Sequence, residues 1–185
     1  MMTRVLSRAG VTQKHLEFMG IPLTGTIDAF QKKLVAKGCS VSAENEFAPA
    51  GWRYFEGTFA GKKAEITVWY NERSKIVYAA TVRIPCSTLG MVRILFDEYK
   101  ELLGKKYEEN GISTDEWIDV YKIDGKREDN HYDWSIYDNL NRENETYLGY
   151  IDIEKKLDDD DLCLTIDYHD AQNYDKHKKD RMSDL

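Results

Sequence analysis

Cys86 is the side chain best placed for nucleophilic chemistry. It stands where a strand-like run ending at Pro85 meets a helix-like run beginning near Thr88, and a helix N-terminus lowers a thiol's pKa and makes thiolate available. A cysteine nucleophile also needs a base, and no histidine is near it in sequence. The plainer reading is a structural thiol, because free cysteine is among the most buried residue types. Cys163 and His169 point to the same side of one strand-like run. Six residues at about 3.3 Å each hold them about 20 Å apart, too far for a dyad.

Asp152, Glu154, Asp167 and His169 share the polar side of the last two strand-like runs. Hard cations want clustered oxygen ligands, which makes these four the weak candidates for a metal. The alternative is the solvated outer face that antiparallel sheets commonly keep. Asp158 to Asp161 invites a calcium reading too, but the run lacks the glycine and terminal glutamate of an EF-hand loop and suits a solvated hairpin tip. The histidines, His15, His131, His169 and His177, are scattered, and no HxH, HExxH, GxSxG, GxGxxG or P-loop spacing occurs. The expectation is no catalytic residue, no metal and no cofactor, although a site assembled from distant residues leaves no local signature.

Aromatic content points elsewhere. The chain has 12 tyrosines and four tryptophans, residues enriched at interfaces because one end packs while the other hydrogen-bonds. Tyr54, Trp69, Tyr132, Trp134 and Tyr150 could line a concave sheet; ordinary packing is the competing explanation.

The bulk numbers narrow the classes. At 185 residues, 42% apolar and 32% charged, the chain suits one domain and reads as globular rather than disordered. Its size buries roughly 70% of the unfolded surface, so no metal or disulfide is required for folding. A net charge of -7 argues against nucleic acid, whose phosphates demand clustered Lys and Arg; it favours a basic protein or a cation. Cys39, Cys86 and Cys163 form no disulfide framework or zinc spacing and read as buried thiols of a reducing compartment. No run approaches the ~18 apolar residues of a membrane-spanning helix. As written the N-terminus shows no signal peptide, so the expected location is the cytoplasm, or the periplasm if an export signal has been lost.

The elements that must position these residues follow from periodicity. Residues 1–14 read as a flexible lead and His15 to Pro22 as a short strand. A helix runs from about Ile27 to Lys37, with Thr26 as N-cap, Ile27, Phe30, Leu34 and Val35 on one face, and Gly38 closing it. Strands follow over Cys39 to Phe47, Trp52 to Phe59, Lys63 to Tyr70 and Ile76 to Ile84. Placing Ile66 and Val68 on the face of Ile76, Tyr78, Ala80, Val82 and Ile84 demands a loop of odd length, three or five residues, because a one-residue slip turns either set outward. A second helix spans about Thr88 to Glu109, with an apolar stripe of Leu89, Val92, Leu95, Phe96, Tyr99, Leu102, Leu103 and Tyr107. Asp115 to Ile123 fits a short helix or a strand, and Asp124 to Asn130 a loop. Tyr132 to Tyr137 alternates, and Thr146 to Glu154 with Leu162 to His169 forms a hairpin whose loop must hold an even number of residues. Residues 171–185 look like a charged, patternless tail. The sum is a two-layer α+β domain over 15–170: an antiparallel sheet, two amphipathic helices, and tandem halves (about 15–85 and 86–170) each running helix then strands.

The run His15-Leu16-Glu17-Phe18-Met19-Gly20-Ile21-Pro22-Leu23-Thr24-Gly25-Thr26, with the helix end Leu34-Val35-Ala36-Lys37-Gly38, resembles the start of a family of small, often exported proteins of gut-commensal bacteria. Gly57-Thr58-Phe59 with Gly61, the stretch Tyr99 to Tyr107, and Ile166-Asp167-Tyr168 with Asn173 extend the similarity over most of 15–173. The resemblance implies a fold and supplies no catalytic residue. The helix-then-sheet repeat is also similar to the tandem layout of β-lactamase-inhibitor-protein-like domains, an analogy of fold alone. The functional expectation is a non-enzymatic binding module that meets a protein partner through an aromatic sheet face made of Trp69, Tyr132, Trp134 and Tyr150. Two alternatives stay open: an acidic inhibitor or immunity-type protein against a basic enzyme, and an enzyme that uses Cys86. Oligomeric state is not legible.

Overall fold

The computed structural model describes residues 14–108, 120–123, 126–129, 131–138, 146–158 and 161–183. Of the expected lead over 1–14, residues 1–13 lie outside them, as do residues 115–119 of the stretch 115–123 that fitted a short helix or a strand. The opening run folds into a miniature hairpin, β1 (Glu17–Phe18) and β2 (Ile21–Pro22), turned by Met19 and Gly20. Leu16, Phe18, Ile21 and Leu23 from this run all enter the core. Helix α1 (Ile27–Ala36) begins where the Thr26 hydroxyl accepts the Ala29 amide, and it buries Ile27, Phe30 and Leu34.

The expected long strand after α1 is only β3 (Ser40–Val41), because Ser42 caps a 3-10 turn over Ala43–Phe47. Then come β4 (Trp52–Phe59), β5 (Lys62–Tyr70) and β6 (Val77–Pro85), followed by helix α2 (Leu89–Glu108). Thr88 caps α2 by accepting the Met91 amide at 3.2 Å. Val92, Leu95, Phe96, Tyr99, Leu103 and Tyr107 are buried beneath it, each worth about 1.5–3 kcal/mol of removed apolar surface, whereas Leu102 points outward. A small separate ladder pairs β7 (Val120–Ile123), in the stretch that fitted a short helix or a strand, with β8 (Lys126–Asp129), which stands where a loop was expected. Strands β9 (His131–Asp138), β10 (Thr146–Asp158) and β11 (Asp161–Asp170) complete the main sheet.

That sheet has seven antiparallel strands in the order β3-β4-β5-β6-β11-β10-β9, so the fold is α+β. Each half contributes a meander, and the last strands of the two meanders, β6 and β11, meet at the centre. One face carries Ile66, Val68, Val82, Ile84, Ile151, Ile153, Leu164, Ile166 and Tyr168 and lies under α1, α2 and the β1–β2 hairpin. Tyr99 ties α2 to the far end of β4, donating its hydroxyl to the Phe59 carbonyl at 2.9 Å. Among the described residues, no helix is long and apolar enough to cross a membrane.

Two register expectations meet different fates. In the last hairpin Ile153 pairs with Ile166 and Asp158 with Asp161, which leaves the even, two-residue loop that matched faces require. Between β5 and β6 the pairing of Ile66 with Val82 also has the expected parity, yet the loop, 71–76, is even. A bulge resolves the conflict. Trp69 pairs with Ala79 and Tyr70 with Val77, so Tyr78 is an extra residue on β6. The bulge turns Tyr78 out of the core and onto the opposite face, against α3.

The patternless tail is the clearest departure. It forms α3 (Ala171–Met182), capped by the Asp170 carboxylate, which accepts the Asn173 amide at 3.0 Å. Helix α3 lies against one end of the face that α1 and α2 leave bare, touching β6, β10 and β11. The fold is therefore two-layered across most of the sheet and three-layered there.

Candidate functional site

Direct cross-strand pairing arranges the outer face in rows that run across six strands. The first row is Trp52, Trp69, Ala79, His169, Tyr150 and Ser135. The second is Tyr54, Thr67, Thr81, Asp167, Asp152 and Asp133, and the third is Glu56, Glu65, Arg83, Thr165, Glu154 and His131. Side chains of period two stand on one face, so every strand delivers one member to each row.

The β4–β5 side is aromatic. Trp52 and Trp69 rings lie 4.0 Å apart between centroids, and Tyr54 meets Trp52 edge-on at 6.3 Å. The Trp69 indole donates to the Thr81 hydroxyl at 3.1 Å, and that hydroxyl donates in turn to the Asp167 carboxylate. This chain of hydrogen bonds joins the aromatic half of the face to its acidic half.

The acidic half is built against its own charge. Asp152 sits directly between Asp133 and Asp167, and like charges in opposed cross-strand positions repel. Burial, then Asp167, Glu154 and Asp133, push the Asp152 carboxyl up to about 7. Burial also raises Asp167, partly offset by the hydrogen bond from Thr81. His131 is the basic group beside the pair, its Nε2 3.9 Å from Asp152. Lys156 is drawn to Glu154 at 2.5 Å, and Arg83 bridges Glu65 (2.8 Å) and Asp161.

Two open clefts flank the aromatics. One, of about 610 Å³, runs over Tyr54, Glu56, Lys63, Glu65, Thr67 and Arg83. The other, of about 470 Å³, lies between Trp52 and Trp69 on one wall and Tyr78, His177, Asp180 and Arg181 on the other.

The expected aromatic face is divided by the sheet. Trp69 and Tyr150 are on the outer face as anticipated, but Tyr132 and Trp134 are not. They are 7% and 1% exposed and lie in the core under α2, where the Lys100 ammonium stands 4.1 Å over the Tyr132 ring. Tyr132 and Trp134 alternate in phase with Ile136 and pair with Ile153 and Ile151, so they must share the apolar face. Trp52, Tyr54 and Trp69, with Thr67 and Thr81 beside them, form the outer aromatic surface instead.

The four metal candidates do share the outer face but do not converge. Asp152 and Asp167 are neighbours, Glu154 is one row further and engaged by Lys156, and His169 is one row the other way, stacked on Tyr150 at 4.5 Å. Successive rows are about 6.6–7 Å apart along a strand. Among the described residues, no group of three or more His, Cys, Asp or Glu side chains is placed to hold a metal ion. At the hairpin tip, Asp161 is taken up by Arg83; residues 159–160 are outside the described set.

Cys86 is not an activated thiol. It lies two residues ahead of the Thr88 cap, donates to the Ile84 carbonyl at 3.5 Å, and is pushed up by burial. Burial raises Cys39 and Cys163 as well. The buried group that sequence reasoning missed is Asp170. Fully buried, its carboxylate accepts from the His15 ring (3.0 Å), the Leu16 amide (3.0 Å) and the Asn173 amide, fastening the N-terminal segment, β11 and α3 together. No local spacing links His15 to Asp170, so nothing in the sequence could have paired them. No family model, curated protein or solved structure matches the chain.

Proposed function

We propose that this chain is a binding module whose outer sheet face recognises a basic protein surface. One observation carries the reading: α1 and α2 cover one face of the sheet, while the other, covered by α3 only at one end, keeps Trp52, Tyr54 and Trp69 half-exposed beside a row of three carboxylates. Rings that are held rigid and partly solvated offer large contact area at little entropic cost. The carboxylate row is only partly ionised at neutral pH, because burial and its neighbours hold Asp152 at about 7; its remaining charge adds to the net charge of -7 that would steer a basic partner. The acidic-inhibitor reading is the case in which that partner is a basic enzyme, and the net charge of -7 favours it. Nothing in the setting of Cys86 supports the cysteine-enzyme alternative.

The test is site-specific photocrosslinking in a native lysate. A benzophenone amino acid at Thr67, in the middle of the outer face, should trap a discrete protein adduct whose yield falls steeply with added salt. The same group at Ile94, which is 68% exposed on α2, should trap none. Equal adducts from both positions, or a salt-independent yield, would overturn the proposal.

A further inference from the structure

Helix α3 is the helix that covers part of the outer face, against β6, β10 and β11. It is polar all round, with Lys176, Lys178, Lys179, Asp180 and Arg181 in its second half, and Asn173 is its buried residue. A polar helix of twelve residues has little stability of its own, so its contacts must hold it. The first turn is fastened by Asp170 and by Asn173, whose side-chain amide donates to the Leu23 carbonyl at 2.9 Å. Beyond Asn173 the helix rests largely on rings. Tyr174 meets His169 edge-on at 5.6 Å, and His177 stacks on Tyr78 at 4.5 Å with planes 18° apart. A hydrogen bond from the Asn71 side chain to Asp180, 2.8 Å, holds the far end. Both imidazoles, His169 and His177, have a buried Nδ1 without a hydrogen-bond partner.

We propose that α3 beyond Asn173 is an acid-releasable strap: closed over Tyr78, Ala79 and His169 while His169 and His177 are neutral, and peeled from the sheet when they are protonated. Release would extend the aromatic row toward Tyr150, so the inference rests on the outer-face reading above and adds its regulation. A neutral imidazole stacked on tyrosine tolerates burial. An imidazolium carries two N–H donors and a charge, and burying them without acceptors is costly.

The groups facing His169 are Tyr150 and Asp152 from β10, Asp167 along β11, Ala79 from β6, and Tyr174 and Lys178 from α3. Those facing His177 are Tyr78, Glu72, Tyr174, Asp180 and Arg181. Burial, with Lys178, draws His169 down to about 4; burial, with Arg181, lowers His177. A folded-state value below the free one means that closure is fully favoured above about 6.5 and lost as pH falls toward 4. Between pH 6.5 and 5, His169 alone raises the open-to-closed ratio about 15-fold, and His177 adds to it.

Amide hydrogen exchange on the full chain tests this without any partner. Protection of residues 174–182, corrected for intrinsic exchange, should fall at least tenfold (on the order expected from) from pH 6.5 to 5, while Ile66 and Val68 in β5 change far less. The double variant His169→Phe/His177→Phe keeps the stacks and removes the titrating nitrogens, so its α3 protection should hold. His177→Phe alone, on the more exposed ring, should shrink the fall. Constant α3 protection in the parent, a fall shared equally by β5, or an undiminished fall in the variants would overturn the strap. Failure here leaves the Thr67 crosslink untouched, and failure of that crosslink leaves the exchange result standing.

Discussion

Replacing Asp152 by asparagine should stabilise this protein by an amount that depends on pH. The carboxyl is held at about 7 rather than 3.8 by burial and by the neighbouring Asp167, Glu154 and Asp133. At about 1.4 kcal/mol per pH unit, ionising it in the folded state costs about 4 kcal/mol more than in the unfolded chain. Its side chain keeps 21% exposure, and screening by that water brings the expected gain to about 2 kcal/mol. Because the folded value is raised, the folded protein binds the proton more tightly between pH 4 and 7. Its contribution to stability is therefore present below about pH 4 and lost as pH rises through about 7. Urea denaturation of parent and Asp152→Asn at pH 8, 7, 6 and 5 reads this directly. The gain should be about 2 kcal/mol at pH 8, be clearly smaller at pH 5, and reach zero only below about pH 4. His169 and His177, lowered by burial, oppose Asp152 in the parent profile by destabilising the fold on acidification, but they cancel in the difference between the two proteins. A pH-independent difference, or a loss of stability at pH 8, would refute the like-charge account of this row.

Gly149→Ala should destabilise by about 3 kcal/mol or more in the same assay: φ there is 149°, and an added Cβ would sit 1.9 Å from the His169 carbonyl oxygen. Asp170→Ala removes a fully buried acceptor from the Leu16 and Asn173 amides and the His15 ring; a loss of about 2–4 kcal/mol is expected, with α3 amides losing protection first. Cys86 should react with iodoacetamide at pH 7.5 more slowly than free cysteine, because burial raises its thiol; faster labelling would reopen the cysteine-enzyme reading.

What was legible followed from strict alternation. Strands β4 and β5, and the β10–β11 hairpin, announce themselves because apolar residues of period two meet a turn of the right parity. The same rule, applied between strands, would have separated the aromatics. Tyr150 is out of phase with Ile151 and Ile153 and Trp69 with Ile66 and Val68, whereas Tyr132 and Trp134 are in phase with Ile136. The Tyr78 bulge was hidden because a loop of six and an extra residue together mimic the parity of an odd loop. Helix α3 was hidden for a different reason. Its seating depends on Tyr174 and His177 meeting rings of other strands, and no apolar stripe records that. The carboxylate row was visible only in part: Asp152 and Asp167 could be paired from the hairpin, but Asp133 needed the β9 register.

The joint between β6 and β11 has a consequence for how the chain is made. Pro85 pairs with Cys163 and Ala79 with His169, so the middle of the sheet cannot close until the ribosome has delivered β11, far downstream of β6. Contacts of such long sequence separation form late and slowly. Until then the N-terminal meander ends in β6, whose Val77, Ala79, Ala80, Val82 and Ile84 border an unpaired ladder edge, the kind of template that recruits a stray strand. The nascent protein must wait in that state until β11, the last of the sheet's seven strands in chain order, emerges and seals it.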